Sequence, residues 1–299
     1  MRILVFGAGS LGCAIGGMLA REHAVTLVGR KENMDAIRLH GLRLTGAFEG
    51  RVDMATRESA EDIHAPDLAI LTTKAYHTSS VVDALRTLPW QKTPVLTLQN
   101  GLGNLEVLRG WKSAKAFGGT TTMGAVLSSP GVVRISGLGK MVIGSDMDGQ
   151  GAAAIAEVFC GCGFQVQTSR NISGEIWAKA IVNSCINPLT AILRVPNGDL
   201  LSSETVIRLM SDLCGECVSV ALASGIHLPE GDMVDRVKSV ARDTAENRSS
   251  MLRDVELGRR TEVGQLNGMM CKTGSFHGVP TPLNRAVSAM IEALVPEAS

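Results

Sequence analysis

The sequence predicts a doubly wound parallel α/β sheet domain followed by a C-terminal all-α domain. In the first half, short apolar segments alternate with amphipathic helical segments, whereas beyond Ser169 only helical spacing continues. Alternation of strand and helix is typical of a parallel sheet covered on both faces. We place the boundary near residue 168, so that residues 1–168 form the first domain and residues 169–299 the second.

The individual elements follow from the spacing of apolar residues. Strands are predicted over residues 2–6, 25–28, 67–71, 95–98, 115–118 and 164–168. Helices are predicted over residues 11–22, 79–88, 152–160, 172–193, 203–224, 231–251, 255–273 and 283–294. The glycine-punctuated alternation over residues 131–144 predicts an antiparallel excursion at the edge of the sheet.

Composition excludes several classes of protein. The 299 residues carry 29 basic and 29 acidic side chains, and only 3% are aromatic. Nucleic-acid binding needs a concentrated basic face or stacking aromatics, so no nucleic-acid partner is expected. No membrane partner is expected either, because the sequence has neither a signal peptide nor a long apolar run. We expect a cytoplasmic protein, and the sequence leaves open whether it forms a homodimer.

The seven cysteines form an odd set scattered through apolar segments. This usage suits a reducing compartment better than a disulfide framework. Cys214 and Cys217 have CxxC spacing and Cys160 and Cys162 lie upstream, but both pairs lack the turn residues of a zinc knuckle. We therefore expect no metal and interpret the cysteines as small buried hydrophobes.

A glycine loop predicts a dinucleotide site. The sequence GAGSLG follows the first strand and precedes the first helix, which is the context that makes this motif specific. Gly7 permits a tight turn, Gly9 a close approach of pyrophosphate, and Gly12 the packing of helix on strand. The alternative is a glycine-rich turn that serves packing alone. The predicted cofactor-binding residues of the loop are Gly7, Ala8, Gly9, Ser10, Leu11 and Gly12.

Polar residues after three further strands extend this prediction. The second strand is followed by Gly29, Arg30 and Lys31, where an NAD enzyme would have an acid. Arg30 suits a 2′-phosphate, so NADPH is favoured over NADH. Lys74 and Asn100 also follow strands, at the sheet edge where ligands of open α/β sheets bind.

In the second half, Lys179, Asn183 and Asn187 recur every fourth residue along an apolar helix. They therefore share one face, which needs polar partners or a cleft. The alternative is a stripe satisfied by a neighbouring helix. Ser250 and Glu262 lie in a second polar cluster, twelve residues apart. They could share a cleft only with a bend in the helix, which Gly258 could supply, or with a large reach of the side chains.

These motifs resemble the ketopantoate reductase (2-dehydropantoate 2-reductase) family of the 6-phosphogluconate dehydrogenase-like group. The resemblance covers nearly the whole chain through GAGSLG, TTKAY, LQNGLGN, TTTMGA with PGVV, WAKAIVNSCINPLTAIL, SSMLRDVELGRRTE and VPTP. It implies a Rossmann-type domain plus a helical domain, with substrate and NADPH in the cleft between the two. After PGVV the family often has histidine or threonine, where this chain has Arg134-Ile135-Ser136, a departure that loosens the substrate assignment.

The resemblance also implies roles for individual residues. Lys179 would be the general acid and Glu262 its partner, keeping a partly desolvated ammonium charged. The substrate-binding residues would be Asn183, Asn187, Ser250 and Asn100, and further cofactor contacts would come from Lys74, Asn100 and Glu262. The implied reaction is reduction of 2-dehydropantoate to (R)-pantoate with NADPH, in pantothenate and coenzyme A biosynthesis.

Two alternatives remain at this stage. A paralogous NADPH-dependent reductase would use the same chemistry on another 2-oxo acid. A non-catalytic NADP(H)-binding redox sensor would need the glycine loop and Arg30, but it would have no use for Lys179, Asn183 and Glu262 together.

Overall fold

The chain begins with a strand, a tight turn and a helix. β1 (Arg2–Phe6) is an apolar run whose central residues are buried, and α1 (Ser10–Leu19) buries most of its length. A strand that is apolar on both faces suits the interior of a parallel sheet with both faces covered. The N-terminal strand and helix therefore form as their sequence predicts.

The computed structural model describes residues 1–112 and 115–295, so the predicted end of the second domain, residues 296–299, lies outside the described residues. The chain divides into two compact units. The α/β unit consists of Met1–Gln99 and Asn104–Ile172, and the helical unit of Asn100–Gly103 and Ser173–Ser299.

The α/β unit contains two sheets. Its strands are β1, β2 (Ala24–Val28), β3 (Leu42–Gly46), β4 (Gly50–Val52), β5 (Ala55–Arg57), β6 (Leu68–Leu71), β7 (Val95–Thr97), β8 (Ala116–Thr121), β9 (Gly124–Ser129), β10 (Val132–Gly137), β11 (Met141–Gly144) and β12 (Val166–Ser169). Its helices are α1, α2 (Lys31–His40), α3 (Thr78–Arg86), α4 (Asn104–Lys112) and α5 (Gly149–Gly161).

The larger sheet has the order β12-β11-β8-β7-β6-β1-β2-β5. Its strands pair in parallel apart from β11 and β8, which are antiparallel. The chain leaves β1 toward β2 on one side and later returns to β6 on the other. Crevices at such reversals, beyond the carboxyl ends of the strands, are where ligands of open α/β sheets bind.

One predicted sheet feature is wrong in part. Residues 131–144 do not form a single excursion at the edge of the main sheet, because β10 belongs to a second sheet with the order β4-β3-β10-β9. There it pairs in parallel with β3 and antiparallel with β9. β11 does join the main sheet, inside the edge strand β12. The pattern indicated strands correctly, but it could not tell which sheet each strand would join.

The helical unit is built around α6 (Ile172–Leu193), whose bounds agree with the prediction. Its other helices are α7 (Glu204–Ala223), α8 (Met233–Asp243), α9 (Ser250–Glu256), α10 (Asn267–His277) and α11 (Pro282–Leu294). α6 is long and apolar enough to cross a membrane, but 67% of its most apolar window is buried inside the protein. That burial, together with its polar stripe, is typical of a core helix.

Two predicted helices are wrong. Residues 231–251 and 255–273 were expected to be continuous, but α8, α9 and α10 are separated by non-helical segments. The carboxylate of Asp232 accepts hydrogen bonds from the first amides of α8, and the Ser249 hydroxyl accepts one from Leu252 N in α9. Short polar side chains of this kind end continuous helices because they satisfy the backbone of a new helix start.

Candidate active site

The glycine turn has the conformation that a dinucleotide site needs. Gly7 has φ of +119°, and its amide donates to the Val28 carbonyl at 2.9 Å. At Gly12 a Cβ atom would lie 1.9 Å from the Gly7 oxygen, whereas at Gly9 it would meet no atom within 4 Å. Gly7 and Gly12 are thus required by the packing. Gly9 borders open space at the start of α1, whose N-terminus has no side-chain cap.

The other residues of the turn hold it in place. The Ala8 carbonyl accepts a hydrogen bond from the Asn33 side chain at 2.9 Å, and the Ser10 hydroxyl accepts one from Leu127 N at 2.9 Å. Leu11 packs against the core of the α/β unit. A rigid turn with exposed backbone beside an uncapped helix start fits the pyrophosphate of a dinucleotide, because the first amides of the helix face the anion.

Arg30 and Lys31 differ in environment although they are neighbours. Arg30 is exposed and immediately precedes α2. Lys31 is paired with Asp35 at 2.8 Å and lies 3.9 Å from Glu58. Lys31 is therefore engaged with two carboxylates, whereas the exposed Arg30 is the better candidate for the predicted contact with a 2′-phosphate. Sequence reasoning missed Arg57, which lies opposite Val28 where β5 pairs with β2 and whose carbonyl accepts a hydrogen bond from Gly29 N at 3.1 Å.

Lys74 follows β6 in the α/β unit and is half-buried. The strand ends near it are joined by Gln99, whose amide nitrogen donates to the Thr73 carbonyl at 3.0 Å and to the Thr78 hydroxyl at 2.8 Å. Asn100, the next residue, belongs to the helical unit. The two residues that the sequence grouped as strand-end ligands therefore fall in different units.

The remaining predicted substrate residues gather in the helical unit. A small cavity is lined by Asn100, Asn183, Asn187, Ser250, Met251, Asp254, Glu262 and Leu266. Asn183 and Asn187 come from the polar stripe of α6, as the four-residue spacing predicts. Glu262 is 7% exposed and precedes a 3₁₀ turn over Val263–Gln265.

The bend that Ser250 and Glu262 need is present. α9 ends at Glu256, and Gly258 follows with φ of +61°, a conformation that favours glycine. The chain then reverses, so that both ends of this segment line the same cavity. Gly258, which the sequence offered as a bend within a helix, instead follows the end of α9.

Lys179 is the one basic residue of the stripe, and it is half-buried. Its ammonium donates a hydrogen bond to Asn100 Oδ1 at 2.9 Å. Burial lowers the pKa of Lys179 from 10.5 to about 8, and the negative charge of Glu262 acts in the opposite direction. Desolvation disfavours the charged amine while an opposite charge favours it, and here desolvation is the stronger effect. An amine with such a pKa can exchange a proton with a substrate near neutral pH.

Asp254 lines the cavity but was not singled out by the sequence analysis. It lies one turn beyond Ser250 on α9, and the same four-residue spacing that identified the stripe of α6 would have indicated it. Its carboxylate adds a second acidic group to a cavity that already contains Glu262.

The cysteines match their predicted role with two exceptions. Cys160 is exposed and Cys271 is half-buried, whereas the others are buried: Cys13, Cys162, Cys185, Cys214 and Cys217. Cys160 lies on the outer face of α5, where helical periodicity would have placed it outside the core. Burial raises the pKa of the Cys13 thiol to about 11, which keeps it protonated.

Comparison with known proteins covers both units. The family model described as "Ketopantoate reductase PanE/ApbA" matches residues 3–147, and its C-terminal counterpart matches residues 171–295. A 2-dehydropantoate 2-reductase from Pyrococcus horikoshii is 35% identical over 296 residues, covering 98% of this chain and 97% of its own.

Solved structures agree in fold. A PanE/ApbA family ketopantoate reductase from Ralstonia eutropha is 33% identical with a TM-score of 0.91, covering 98% of each chain. A D-mandelate dehydrogenase in complex with NADH and anilino(oxo)acetate is 26% identical with a TM-score of 0.90, also covering 98% of each chain. The chain belongs to the ketopantoate reductase family, a family of oxidoreductases with an N-terminal Rossmann-like domain and a C-terminal helical domain.

Proposed function

We propose that this protein reduces 2-dehydropantoate to (R)-pantoate with NADPH, and that Lys179 is the general acid. The observation that carries the proposal is the cavity of the helical unit, which is lined by amide, hydroxyl and carboxylate side chains and whose Asn100 accepts a hydrogen bond from Lys179. A ketone that becomes an alcohol develops negative charge on its oxygen, and a nearby ammonium both stabilises that charge and supplies the proton.

Each polar side chain has a part in this mechanism. Asn183, Asn187 and Ser250 donate hydrogen bonds to the carboxylate and hydroxyl oxygens of the substrate. Glu262 holds the ammonium of Lys179 in its charged form before the reaction, since its charge raises the pKa of that group. Lys179 then gives a proton to the developing alkoxide and is left as a neutral amine, a form that burial makes accessible near pH 8.

The glycine turn and Arg30 fit the cofactor. Backbone amides at the start of α1 would bind the pyrophosphate, and Arg30 would form charge-assisted hydrogen bonds with the 2′-phosphate. When bound, NADPH supplies the hydride that the ketone carbon accepts. The D-mandelate dehydrogenase structure contains NADH, so the preference of this chain for NADPH rests on Arg30.

The cavity lining favours a small, oxygen-rich acid over an aromatic one. Its apolar side chains are Met251 and Leu266, and the other lining residues are polar or acidic. A phenyl ring has no hydrogen-bond donor or acceptor to offer such a lining, whereas an oxygen-rich acid can exchange hydrogen bonds with it. The hydroxyl of 2-dehydropantoate can instead donate to a carboxylate such as Asp254.

The test is NADPH oxidation with 2-dehydropantoate beside 2-oxoisovalerate, pyruvate and benzoylformate, with chiral analysis of the product. We expect the highest kcat/KM with 2-dehydropantoate and formation of the (R) alcohol. Higher kcat/KM with another oxo acid would make the protein a paralogous reductase. Tight NADPH binding without turnover of any oxo acid would favour a redox sensor.

We further propose that the enzyme acts in the cytoplasm, in the formation of pantothenate and coenzyme A. Its seven free cysteines suit a reducing compartment. Fractionation of the source cells and pantothenate rescue of a deletion strain test both points. Sedimentation equilibrium decides whether the chain is a monomer or a homodimer.

A further inference from the structure

We propose that Gly101 is a positioning residue for this reaction: it lets the loop Asn100–Gly103 lie directly against Gln265, and so holds Asn100 and Glu262 in place around Lys179. The inference rests on the proposed function and adds to it a residue that touches neither substrate nor cofactor. Asn100 and Glu262 are far apart in sequence, and a backbone hydrogen bond from Leu102 to Gln265 joins the segments that carry them.

The loop Asn100–Gly103 contacts Gln265 through its backbone. Leu102 N donates a hydrogen bond to the Gln265 carbonyl at 2.9 Å. Gly101 has φ of +86°, and a Cβ atom on it would lie 2.7 Å from that same carbonyl oxygen and 2.9 Å from the Gln265 Cβ. Any side chain at position 101 would therefore push the loop away from Gln265.

Gln265 and Asn100 connect this contact to Glu262 and Lys179. Gln265 N and Leu266 N both donate to the Glu262 carbonyl at 3.1 Å, so Glu262 and Gln265 move as one turn. On the other side, Asn100 is bonded to Gly101, and its Oδ1 accepts the hydrogen bond of Lys179 at 2.9 Å. Leu102, which is 5% exposed within the core of the helical unit, anchors the loop.

Displacement of the loop would change the pKa of Lys179 in a definite direction. An amide oxygen that accepts a hydrogen bond from an ammonium favours the charged form, so displacement of Asn100 lowers the pKa of Lys179 further. The charged groups around Lys179 are Glu262, whose charge acts on it, Asp254 on α9 in the same cavity, and Glu175 one turn back on α6. Glu175 lies 3.8 Å from Arg236, which offsets its charge.

A matched pair of variants distinguishes displacement of the loop from Gln265 from the backbone strain of an alanine at positive φ. Gly103 has φ of +89°, nearly that of Gly101, but a Cβ atom there would meet only the flexible Met269 Cε at 3.6 Å. Gly101→Ala and Gly103→Ala thus carry the same conformational strain, and only the first presses on Gln265. Thermal unfolding of both variants measures the shared strain.

The measurement is the pH dependence of kcat at saturating NADPH, together with the pKa of Lys179 from NMR titration of ¹³C-labelled lysine. For Gly101→Ala we expect kcat to fall about tenfold. The pH above which kcat declines should be lower by about one unit. Gly103→Ala should keep the wild-type profile. Equal shifts in the two variants, or no shift in either, would overturn the proposal.

Two further arms keep the test decisive. If Gly101→Ala does not fold, Leu102→Ala loosens the same loop without strain at position 101, and it should move the pKa of Lys179 in the same direction. An unmoved pKa in a folded Leu102→Ala variant contradicts the proposal. A wild-type protein that reduces no oxo acid overturns the proposed function alone, because the NMR titration reports on the positioning of Lys179 without turnover.

Discussion

At the scale of single residues, the chemistry depends on how Lys179 is buried. An exposed lysine is protonated at neutral pH but holds its proton too tightly to be an efficient acid, and a fully desolvated one loses its charge. Burial brings the pKa of Lys179 to about 8, and Glu262 keeps it from falling further. The pKa of a general acid is best placed near the pH at which the enzyme works.

This pKa predicts the pH dependence of activity. Reduction requires the protonated amine, so kcat/KM for the oxo acid should be level below about pH 8 and fall tenfold per pH unit above it. Oxidation of the alcohol requires the neutral amine and should rise through the same range. Steady-state rates from pH 6 to 10 in both directions measure this, with NADPH affinity from fluorescence as the control.

Glu262→Gln tests the electrostatic part of this account. The variant keeps the shape of the side chain and removes the charge that raises the pKa of Lys179, so the decline in reduction should begin at lower pH than in the wild type. A profile that is unchanged in Glu262→Gln would mean that Glu262 does not act on the acid.

Cys160 is the cysteine on which chemical modification should concentrate. It is the exposed thiol, whereas burial raises the pKa of Cys13, Cys162 and Cys271 and so depletes their reactive thiolates. We expect iodoacetamide to alkylate one site rapidly and Cys160→Ser to abolish that rapid phase, as measured by intact mass over time. Rapid alkylation of the variant would point instead to the half-buried Cys271.

At the scale of elements, two glycines of the turn between β1 and α1 have different roles, one in packing and one in binding. A Cβ atom at Gly12 would collide with the Gly7 carbonyl, whereas Gly9 faces open space. We expect Gly12→Ala to lower the free energy of unfolding by about 1–3 kcal/mol through overpacking. Gly9→Ala should leave that quantity unchanged and weaken NADPH binding, as measured by denaturant unfolding and fluorescence titration. NADPH affinity equal to wild type in Gly9→Ala would remove the pyrophosphate from this turn.

At the junction of β2 and α2, the two adjacent cations Arg30 and Lys31 also have different roles. Arg30→Ala should lower the ratio of kcat/KM for NADPH to that for NADH about tenfold or more, because a charge-assisted hydrogen bond to phosphate is lost. Lys31→Ala is the matched control, since Lys31 is already paired with Asp35 and Glu58. If both variants lower the ratio equally, a general positive potential rather than Arg30 selects the cofactor.

Elements with strong periodic patterns could be predicted from the sequence, and those that depend on partners could not. β1 and α6 have the predicted bounds because a long apolar pattern determines each of them locally. β3, β4 and β5 were missed because they are short and partly exposed. β3 and β5 pair with the distant strands β10 and β2, and β4 pairs with its neighbour β3. The polar stripe of α6 was predictable because it follows from the same local periodicity as α6 itself. The place of Arg57 opposite Val28 was not, because it depends on the pairing of β5 with β2.

At the scale of the whole molecule, the chain carries equal numbers of acidic and basic residues, yet its candidate sites depend on a few individual cations. The α/β unit and the helical unit each have their own hydrophobic core. In sequence, the loop Asn100–Gly103 lies between two segments of the α/β unit, but in the fold it belongs to the helical unit. No local pattern could predict that, since Leu102 finds its core only in the folded protein.

Ligand binding to one unit should appear as a shift in thermal unfolding. NADPH at a hundred times its Kd stabilises the native state by about 2.7 kcal/mol, which raises the midpoint of a unit of this size by about 5–10 °C. Calorimetry should show that shift in the wild type, a smaller one with NADH at the same concentration, and a smaller one in Gly9→Ala. Because each unit has its own core, a protein that unfolds in two transitions should show the NADPH shift in the transition of the α/β unit. A shift confined to the helical unit would contradict the assignment of the dinucleotide to the glycine turn.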